Sequence, residues 1–299
     1  MSTVERRTQL IGLGMAVVGS IAFSGKAIIV KLAYRYGVDA VTLIMYRMLF
    51  ALPLFLAMAW WASVGKAPLS RNDWLGVLGL GFCGYYLASF LDFLGLQYIS
   101  ASLERLILYL NPTIVLILGA LLFQKRITRT QAIAMALSYA GVLLVFGHEV
   151  SFEGKNVLLG TSLVFASAVS YAIYLAYSGE MVKRLGSLRL VGLATSVACL
   201  LCIAQFVVLN PMSAAIVSSE VIWLSILNAT LCTAVPVVLV MMAIERIGAG
   251  LAAQTGMIGP MSTIAMGVIF LGETLNAWII AGTLLVLLGV YWVSRSKAT

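Results

Sequence analysis

Ile99-Ser-Ala-Ser-Leu103 and Ile247-Gly-Ala-Gly-Leu251 stand 148 positions apart, and each one opens a long apolar segment. The same offset relates three further pairs of residues: Pro112 and Pro260, Gly119 and Gly267, Gly141 and Gly289. Chance matches of Leu or Ala are common among apolar helices. Pro and Gly repeated at a constant offset over about 45 residues instead indicate an internal duplication.

The composition places both copies in a membrane. Apolar residues make up 62% of the chain and charged residues only 10%, which is more apolar surface than a soluble core can bury. Ten apolar segments of about 18 to 24 residues are each long enough to cross roughly 30 Å of hydrocarbon as a helix. The predicted spans are 10–33, 40–62, 74–96, 101–123, 130–147, 156–180, 188–210, 219–243, 249–271 and 276–294.

The number of spans determines the expected architecture. Five crossings in residues 1–148 and five in residues 149–299 leave the two halves oppositely oriented in the bilayer. We therefore predict an all-α integral membrane protein. Its single membrane domain, residues 1–299, consists of ten transmembrane helices, arranged as two inverted five-helix repeats around a central cavity. Many secondary transporters use this arrangement to expose one site alternately to both sides.

The basic net charge of +8 follows the predicted topology. With a cytoplasmic N-terminus, 13 of the 19 Lys and Arg residues fall on the cytoplasmic side and 4, including Arg105, on the outer side. Lys26 and Arg47 lie within spans. This asymmetry predicts that both termini are cytoplasmic, and it explains the charge without a nucleic-acid partner.

The repeated residues resemble a known family. The stretch from Ile99 through Pro112 to Gly141, and its copy through Pro260 and Leu271-Gly272-Glu273 to Gly289, are similar to the paired EamA repeats of the drug/metabolite transporter superfamily. Lys31 and Arg47 match basic positions common in that family. The resemblance implies a ten-helix, inverted-repeat exporter of amino acids, metabolites or drugs, and overall similarity is to bacterial amino-acid exporters, including those for aromatic amino acids. The first half has Phe123-Gln124-Lys125 in place of Leu-Gly-Glu, so the resemblance implies no matching carboxylate there.

Three charges inside the predicted spans are candidates for transport or coupling. At 1.5 Å per residue, Lys26, Arg47 and Asp92 all lie within about 10 Å of the outer boundary. A buried charge needs a partner or water. Asp92 can pair with Arg47 or with Lys26, but not fully with both. We expect an Arg47–Asp92 ion pair, which leaves Lys26 to hold a substrate carboxylate; the alternative is that Lys26 extends to the outer interface.

Polar and aromatic side chains at helical spacing predict further cavity residues. A buried tyrosine offers an apolar wall and a hydroxyl that needs a partner. The candidates for substrate binding are Tyr85, Tyr109, Tyr171, Tyr174, Asn228, Gln254 and Met257. Helix–helix packing is the alternative explanation for the same stripes.

Proline supplies a second kind of candidate. Pro112, Pro236 and Pro260 cannot donate a backbone hydrogen bond, so the carbonyls of Leu108, Cys232 and Gly256 lose their helical partners. Such carbonyls suit a substrate ammonium. The alternative is a simple kink, which rocking helices would also use.

The sequence contains no recognisable catalytic or nucleotide-binding motif. It has one His, no phosphate-binding loop, and four Cys that all fall within spans, so we expect no cofactor, metal, catalytic residue or ATPase partner. We predict a secondary transporter of the cell inner membrane, a monomer or weak oligomer, that exports small metabolites, most of all amino acids, by alternating access. The alternatives are a multidrug exporter, a membrane enzyme acting on lipid-linked substrates, and a receptor or channel. Proton coupling is open at this point, because Asp92 either titrates or is fixed in an ion pair.

Overall fold

The computed structural model describes residues 3–124, 126–153 and 156–295, and within those ranges every regular element is helical. The α-helices are α1 Thr3–Tyr34, α2 Ala40–Ser63, α3 Arg71–Gly81, α4 Ala88–Gly95, α5 Ala101–Leu108, α6 Asn111–Phe123, α7 Arg129–Glu153, α8 Asn156–Leu185, α9 Ser187–Leu209, α10 Ser219–Ala229, α11 Val235–Thr255, α12 Ile258–Met266 and α13 Ala277–Arg295. Three π-helical segments, Phe82–Leu87, Thr230–Ala234 and Gly267–Leu271, and a 3-10 turn, Met212–Ala215, complete the described elements.

The lengths of these helices suit a bilayer. Within the described residues, eight continuous helical stretches are long and apolar enough to cross it, and two shorter apolar stretches are Ile258–Leu271 and Ala277–Trp292. Polar side chains fix where helices begin: Asp39 accepts the N–H of Thr42 at the start of α2, and Ser70 and Asp73 form a capping box at the start of α3.

The 148-residue repeat of the sequence has counterparts in the backbone. The π-helical segments Phe82–Leu87 and Thr230–Ala234 begin 148 residues apart. Gln124 and Gly272, which are separated by the same interval, are both left-handed, with φ of 54° and 73°. Helices also break before the matched prolines, between α5 and α6 ahead of Pro112 and between α11 and α12 ahead of Pro260.

One predicted boundary differs. The sequence predicted a turn between spans ending at 243 and starting at 249, whereas α11 is helical from Val235 to Thr255. The chain nevertheless reverses there, as its contacts with α1 demonstrate: Gly25 lies beside Cys232, Gly12 beside Ile247, and Ser24 beside Gly259. The chain therefore runs antiparallel to α1 from Cys232 to Ile247, and by Gly259 it is back at the level of Ser24. The reversal of chain direction lies within α11.

Small residues bring the long helices close together. Repeat-matched Gly141 and Gly289 both lie in the contact between α7 and α13, where a Cβ on Gly141 would meet the Gly282 carbonyl and one on Gly289 would meet Ala134 and Ser138. Close backbone approach at small residues is the usual means of helix packing in lipid, where no hydrophobic force drives helices together.

The bundle has two distinct ends. At one, which we call the Glu273 end, the Glu273 carboxylate accepts hydrogen bonds from Ala101 N (2.7 Å) and Ser102 Oγ (2.6 Å) at the start of α5. At the other, the Arg189 end, Arg189 donates to Ser63 Oγ (3.0 Å) and to the Ala67 carbonyl (3.0 Å). α1 ends, and α5 begins, at the Glu273 end.

Candidate functional site

A buried ion group joins α1, α4 and α5. Lys26 Nζ lies 2.5 Å from Asp92 Oδ2 and 3.2 Å from Glu104 Oε1. The side chains of Asp92 and Glu104 are 3% and 0% exposed, and that of Lys26 is 16% exposed. Lys26 is eight residues before the end of α1, which places it about 12 Å inside the Glu273 end.

Arg105 extends this group toward α12. Its Nη2 donates to Ser24 Oγ (2.8 Å), which lies 2.9 Å from the Gly259 carbonyl oxygen. Its guanidinium lies over the ring of Tyr109, 5.8 Å from the centroid, and the Tyr109 hydroxyl donates to the Gly256 carbonyl (2.5 Å). The predicted residue Tyr109 is thus placed beside the ion group.

Arg47 forms the other flank. Its Nε donates to Thr233 Oγ1 (3.1 Å), and the Thr233 hydroxyl donates to the backbone carbonyl of Asn228 (2.8 Å). The guanidinium also lies 5.2 Å from the centroid of the Phe93 ring. Phe93 directly follows Asp92 in the sequence. These five charged residues, Lys26, Arg47, Asp92, Glu104 and Arg105, are called the ionic cluster below.

The prediction that Arg47 pairs with Asp92 was wrong, and so was the prediction that Lys26 is the cation left without an acidic partner. Asp92 pairs with Lys26 instead, and Lys26 faces a second carboxylate, Glu104. Depth along a helix can be read from sequence, but the direction in which a residue faces around the axis depends on packing. Arg105, counted with the outer loops, belongs to the same cluster.

The proline predictions are corrected in part. The Leu108 carbonyl, freed by Pro112, accepts from Asn111 Nδ2 (2.7 Å), and the Gly256 carbonyl, freed by Pro260, accepts from Tyr109. Both carbonyls proposed for a substrate ammonium therefore already have donors within the chain. Pro236 stands two residues after the end of the π-helical segment that contains Cys232, and the role of the Cys232 carbonyl stays a prediction.

The ionic cluster contains polar atoms that the described residues leave without hydrogen-bond partners. They are Arg47 Nη1, Asp92 Oδ1, both carboxylate oxygens of Glu104, and Arg105 Nε, with Asn228 Oδ1 nearby in sequence to Thr233. Three cations stand against two carboxylates. A buried polar atom without a partner costs about 1–3 kcal/mol, so these atoms make the ionic cluster the candidate site for a polar ligand or a proton.

Three other predicted residues form a separate group, the tyrosine cluster: Tyr85, Tyr171 and Tyr174. The hydroxyls of Tyr85 and Tyr174 are 3.2 Å apart, and the rings of Tyr171 and Tyr174 stack at 5.5 Å. Tyr174 also packs against Gly84, where a Cβ would collide with its ring. Within the part of the chain that the structure describes, no hydrogen bond or ion pair joins this cluster to the ionic cluster.

Two serines of α8 donate hydrogen bonds to the backbone near the tyrosines. Ser170 donates to the Cys83 carbonyl (2.7 Å) in the π-helical segment, and Ser167 donates to the Ala88 carbonyl (2.7 Å) at the start of α4. Ser167 and Ser170 therefore take part in helix packing, and the role of Tyr171 and Tyr174 in substrate binding stays a prediction.

Two of the predicted binding residues, Gln254 and Met257, are not placed in either cluster. Met257 stands at the break before α12 and packs with the apolar core around α5, α7 and α8. The side chain of Gln254 lies outside the described residues. Glu104, Arg105 and Ser24 are functional candidates that the sequence interpretation missed; the signal available for Glu104 was a carboxylate inside a predicted span.

Comparison with known proteins identifies the family. A model of the EamA-like transporter family matches the chain twice, at residues 10–147 and 158–295. This chain belongs to that family. It is 30% identical to the uncharacterized transporter YcbK of Bacillus subtilis over 87% of this chain and 85% of that one. It is also 23% identical to an uncharacterized transporter of Synechocystis over 86% of this chain and 80% of that one.

A solved structure supports the fold. One crystal structure covers 96% of this chain and 95% of its own, with a TM-score of 0.61 and 18% sequence identity, so the likeness concerns the fold alone. Together with the long apolar helices, the family makes this EamA protein a multi-pass membrane transporter. The predicted membership of the drug/metabolite transporter superfamily is confirmed.

Proposed function

We propose that this EamA protein is a secondary transporter of the cell inner membrane that exports small metabolites, above all amino acids including aromatic ones, by alternating access. The observation that carries the proposal is the ionic cluster. It has a surplus cation for a carboxylate, and it also has carboxylate oxygens that receive no hydrogen bond from the described residues and can accept one from an ammonium, so it suits a zwitterion. A zwitterion completes both sets of hydrogen bonds at once.

The proposed topology is ten spans in two inverted five-helix repeats, residues 1–148 and 149–299, with both termini in the cytoplasm. Three observations support it: the family model matches twice, the backbone irregularities recur at the repeat interval, and α11 reverses between Ile247 and Gly259. The first helix of each half packs against the third span of the other half: α1 lies along α11, and α8 lies along α4. A pseudo-two-fold axis between the repeats produces this reciprocal packing.

Alternating access requires parts that move around a fixed site. The breaks between α5 and α6 and between α11 and α12 lie at repeat-matched points beside Tyr109, whose hydroxyl connects the two broken spans. We propose that the helices rock at these breaks while the ionic cluster stays near the level of Lys26. Closure at the Glu273 end is supported by the hydrogen bonds of Glu273 to α5 and of Arg35 to the Leu271 carbonyl (2.8 Å).

A multidrug exporter of the same family is the alternative. A lipophilic cation would need free carboxylates, and here Asp92 and Glu104 share Lys26, so the charge balance favours a zwitterion over a cation. A membrane enzyme acting on lipid-linked substrates is less well supported, because the charged groups lie inside the bundle rather than at one interface.

Exchange in proteoliposomes tests the proposal. Vesicles loaded with each proteinogenic amino acid are mixed with a trace of the same radiolabelled compound, and counterflow is recorded. We expect saturable counterflow of at least one amino acid, and its loss in Arg105→Met, which removes the surplus cation. Arg71→Met, at an exposed arginine of α3, is the matched control and should keep wild-type rates. Counterflow of tetraphenylphosphonium but of no amino acid would instead support the multidrug alternative.

A further inference from the structure

Glu104 stands out among the described carboxyl groups. Its side chain is completely buried, and neither of its oxygens receives a hydrogen bond from the described residues. Its attraction to Lys26 is shared, because Lys26 Nζ is closer to Asp92 (2.5 Å) than to Glu104 (3.2 Å). One ammonium therefore serves two carboxylates in a place from which water is largely excluded.

The charged groups around Glu104 come from three helices. Lys26 faces it from α1 and Asp92 from α4, and Arg105 follows it on α5. Arg105 donates through Nη2 to Ser24, and Asp92 Oδ1 and both Glu104 oxygens receive no hydrogen bond from the described residues. Two buried carboxylates that share one ammonium cannot both stay charged at low cost, and a proton shared between them removes their repulsion.

We propose that Glu104 is a proton-binding site, and that the transporter exchanges a proton for its substrate there. The inference rests on the proposed function and adds its energy source. When Glu104 takes up a proton, its carboxyl donates a hydrogen bond to Asp92 Oδ1, and Asp92 keeps its ion pair with Lys26. When a substrate ammonium arrives, it favours the ionised form of Glu104, and the proton leaves to the water on that side.

The exchange balances in charge and protons. One proton enters Glu104 from outside as substrate departs, crosses with the reorienting bundle, and is released in the cytoplasm as the next substrate binds. Because proton and ammonium both compete for Glu104, each lowers the affinity for the other, and this reciprocal coupling produces antiport.

Infrared difference spectroscopy tests the site without any substrate. Purified protein in lipid is titrated between about pH 5 and pH 9, and the carbonyl stretch of a protonated carboxyl is followed. We expect a pH-dependent band in the wild type that is missing in Glu104→Gln and retained in Glu220→Gln, at an exposed carboxyl of α10. A wild type without such a band, or a band that persists in Glu104→Gln, would overturn the inference.

A transport assay in vesicles distinguishes an error about proton coupling from an error about the proposed function. With the membrane potential clamped, vesicles one pH unit more acidic inside should accumulate the exchanged amino acid up to about tenfold, the limit for one proton per substrate. Glu104→Gln should lose this gradient-driven accumulation, whereas Glu220→Gln, at the exposed carboxyl of α10, should accumulate the amino acid as the wild type does. If wild-type counterflow occurs but accumulation does not respond to the pH gradient, proton coupling alone is refuted. If no amino acid shows counterflow, the proposed function is refuted. The infrared result then still decides whether Glu104 binds a proton.

Discussion

The ionic cluster and the tyrosine cluster both bury polar groups inside the bundle, yet they differ in how fully those groups are satisfied. In the tyrosine cluster, the hydroxyls of Tyr85 and Tyr174 lie 3.2 Å apart, and the neighbouring Ser170 donates to the Cys83 carbonyl of the π-helical segment. In the ionic cluster, both oxygens of Glu104 and the Nε of Arg105 have no hydrogen-bond partner among the described residues.

This difference separates packing from transport. Hydrogen bonds completed within the protein stabilise one conformation, whereas incomplete ones cost stability and gain a partner only when a ligand or proton arrives. We therefore assign recognition to the ionic cluster and a packing role to the tyrosine contacts. That Tyr171 and Tyr174 also border a bound side chain stays a prediction.

The largest effect is expected from removing the shared cation. Lys26→Ala leaves two buried carboxylates without their counter-charge, which should lower the free energy of unfolding by about 3–5 kcal/mol and abolish exchange. The matched control is Lys183→Ala, which breaks the exposed pair with Glu180 and should cost under about 1 kcal/mol. Thermal unfolding in detergent measures both, and equal losses in the two variants would contradict a special role for the buried pair.

A smaller loss is expected at the tyrosine cluster. Gly84→Ala places a methyl group against the Tyr174 ring and should destabilise by about 1–3 kcal/mol, while counterflow per folded molecule is kept. Gly79→Ala is the control, since a Cβ there meets nothing within 4 Å. If Gly84→Ala left stability unchanged but stopped exchange, the division between packing and transport would be wrong.

The sequence predicted the fold far better than the site. Apolar spans and the repeat interval follow from chemistry that acts locally, so Pro112 and Pro260 marked real breaks in the helices. Partner choice depends on how helices are rotated against one another, which no pattern in one segment encodes. Asp92 consequently pairs with Lys26 rather than Arg47, and the Gly256 carbonyl meets a tyrosine from another helix.

Removal of the Tyr174 hydroxyl alone should lower the free energy of unfolding by less than Gly84→Ala does. Tyr174→Phe removes the contact with the Tyr85 hydroxyl at 3.2 Å but keeps the ring, and it should cost about 0.5–1.5 kcal/mol. The concentration of amino acid that gives half-maximal counterflow should not change. A severalfold rise in that concentration would move the hydroxyl into the binding site.

The smallest effect concerns a carboxylate outside the membrane-spanning helices. Burial raises the pKa of Asp39, but hydrogen bonds from Thr42 and Asn210 outweigh it, so the pKa lies below the ordinary value of 3.8. The stabilisation by ionised Asp39 is therefore present at neutral pH and is lost as the pH falls below about 4. Since Asp39 is partly exposed, we expect under about 1 kcal/mol. The melting temperatures of the wild type and Asp39→Asn should differ at pH 7 and draw together as the pH falls below about 4; a difference that grows on acidification would reverse the assignment.

Equilibrium binding tests the assignment of recognition most directly. Purified wild type, Arg105→Met and Tyr174→Phe are each titrated with the radiolabelled amino acid that exchanges best. Loss of a buried charged hydrogen bond to the substrate predicts at least a tenfold weaker Kd, about 1.4 kcal/mol, for Arg105→Met and an unchanged Kd for Tyr174→Phe. Wild-type affinity in Arg105→Met together with weakened binding in Tyr174→Phe would contradict the central claim that substrate is recognised in the ionic cluster.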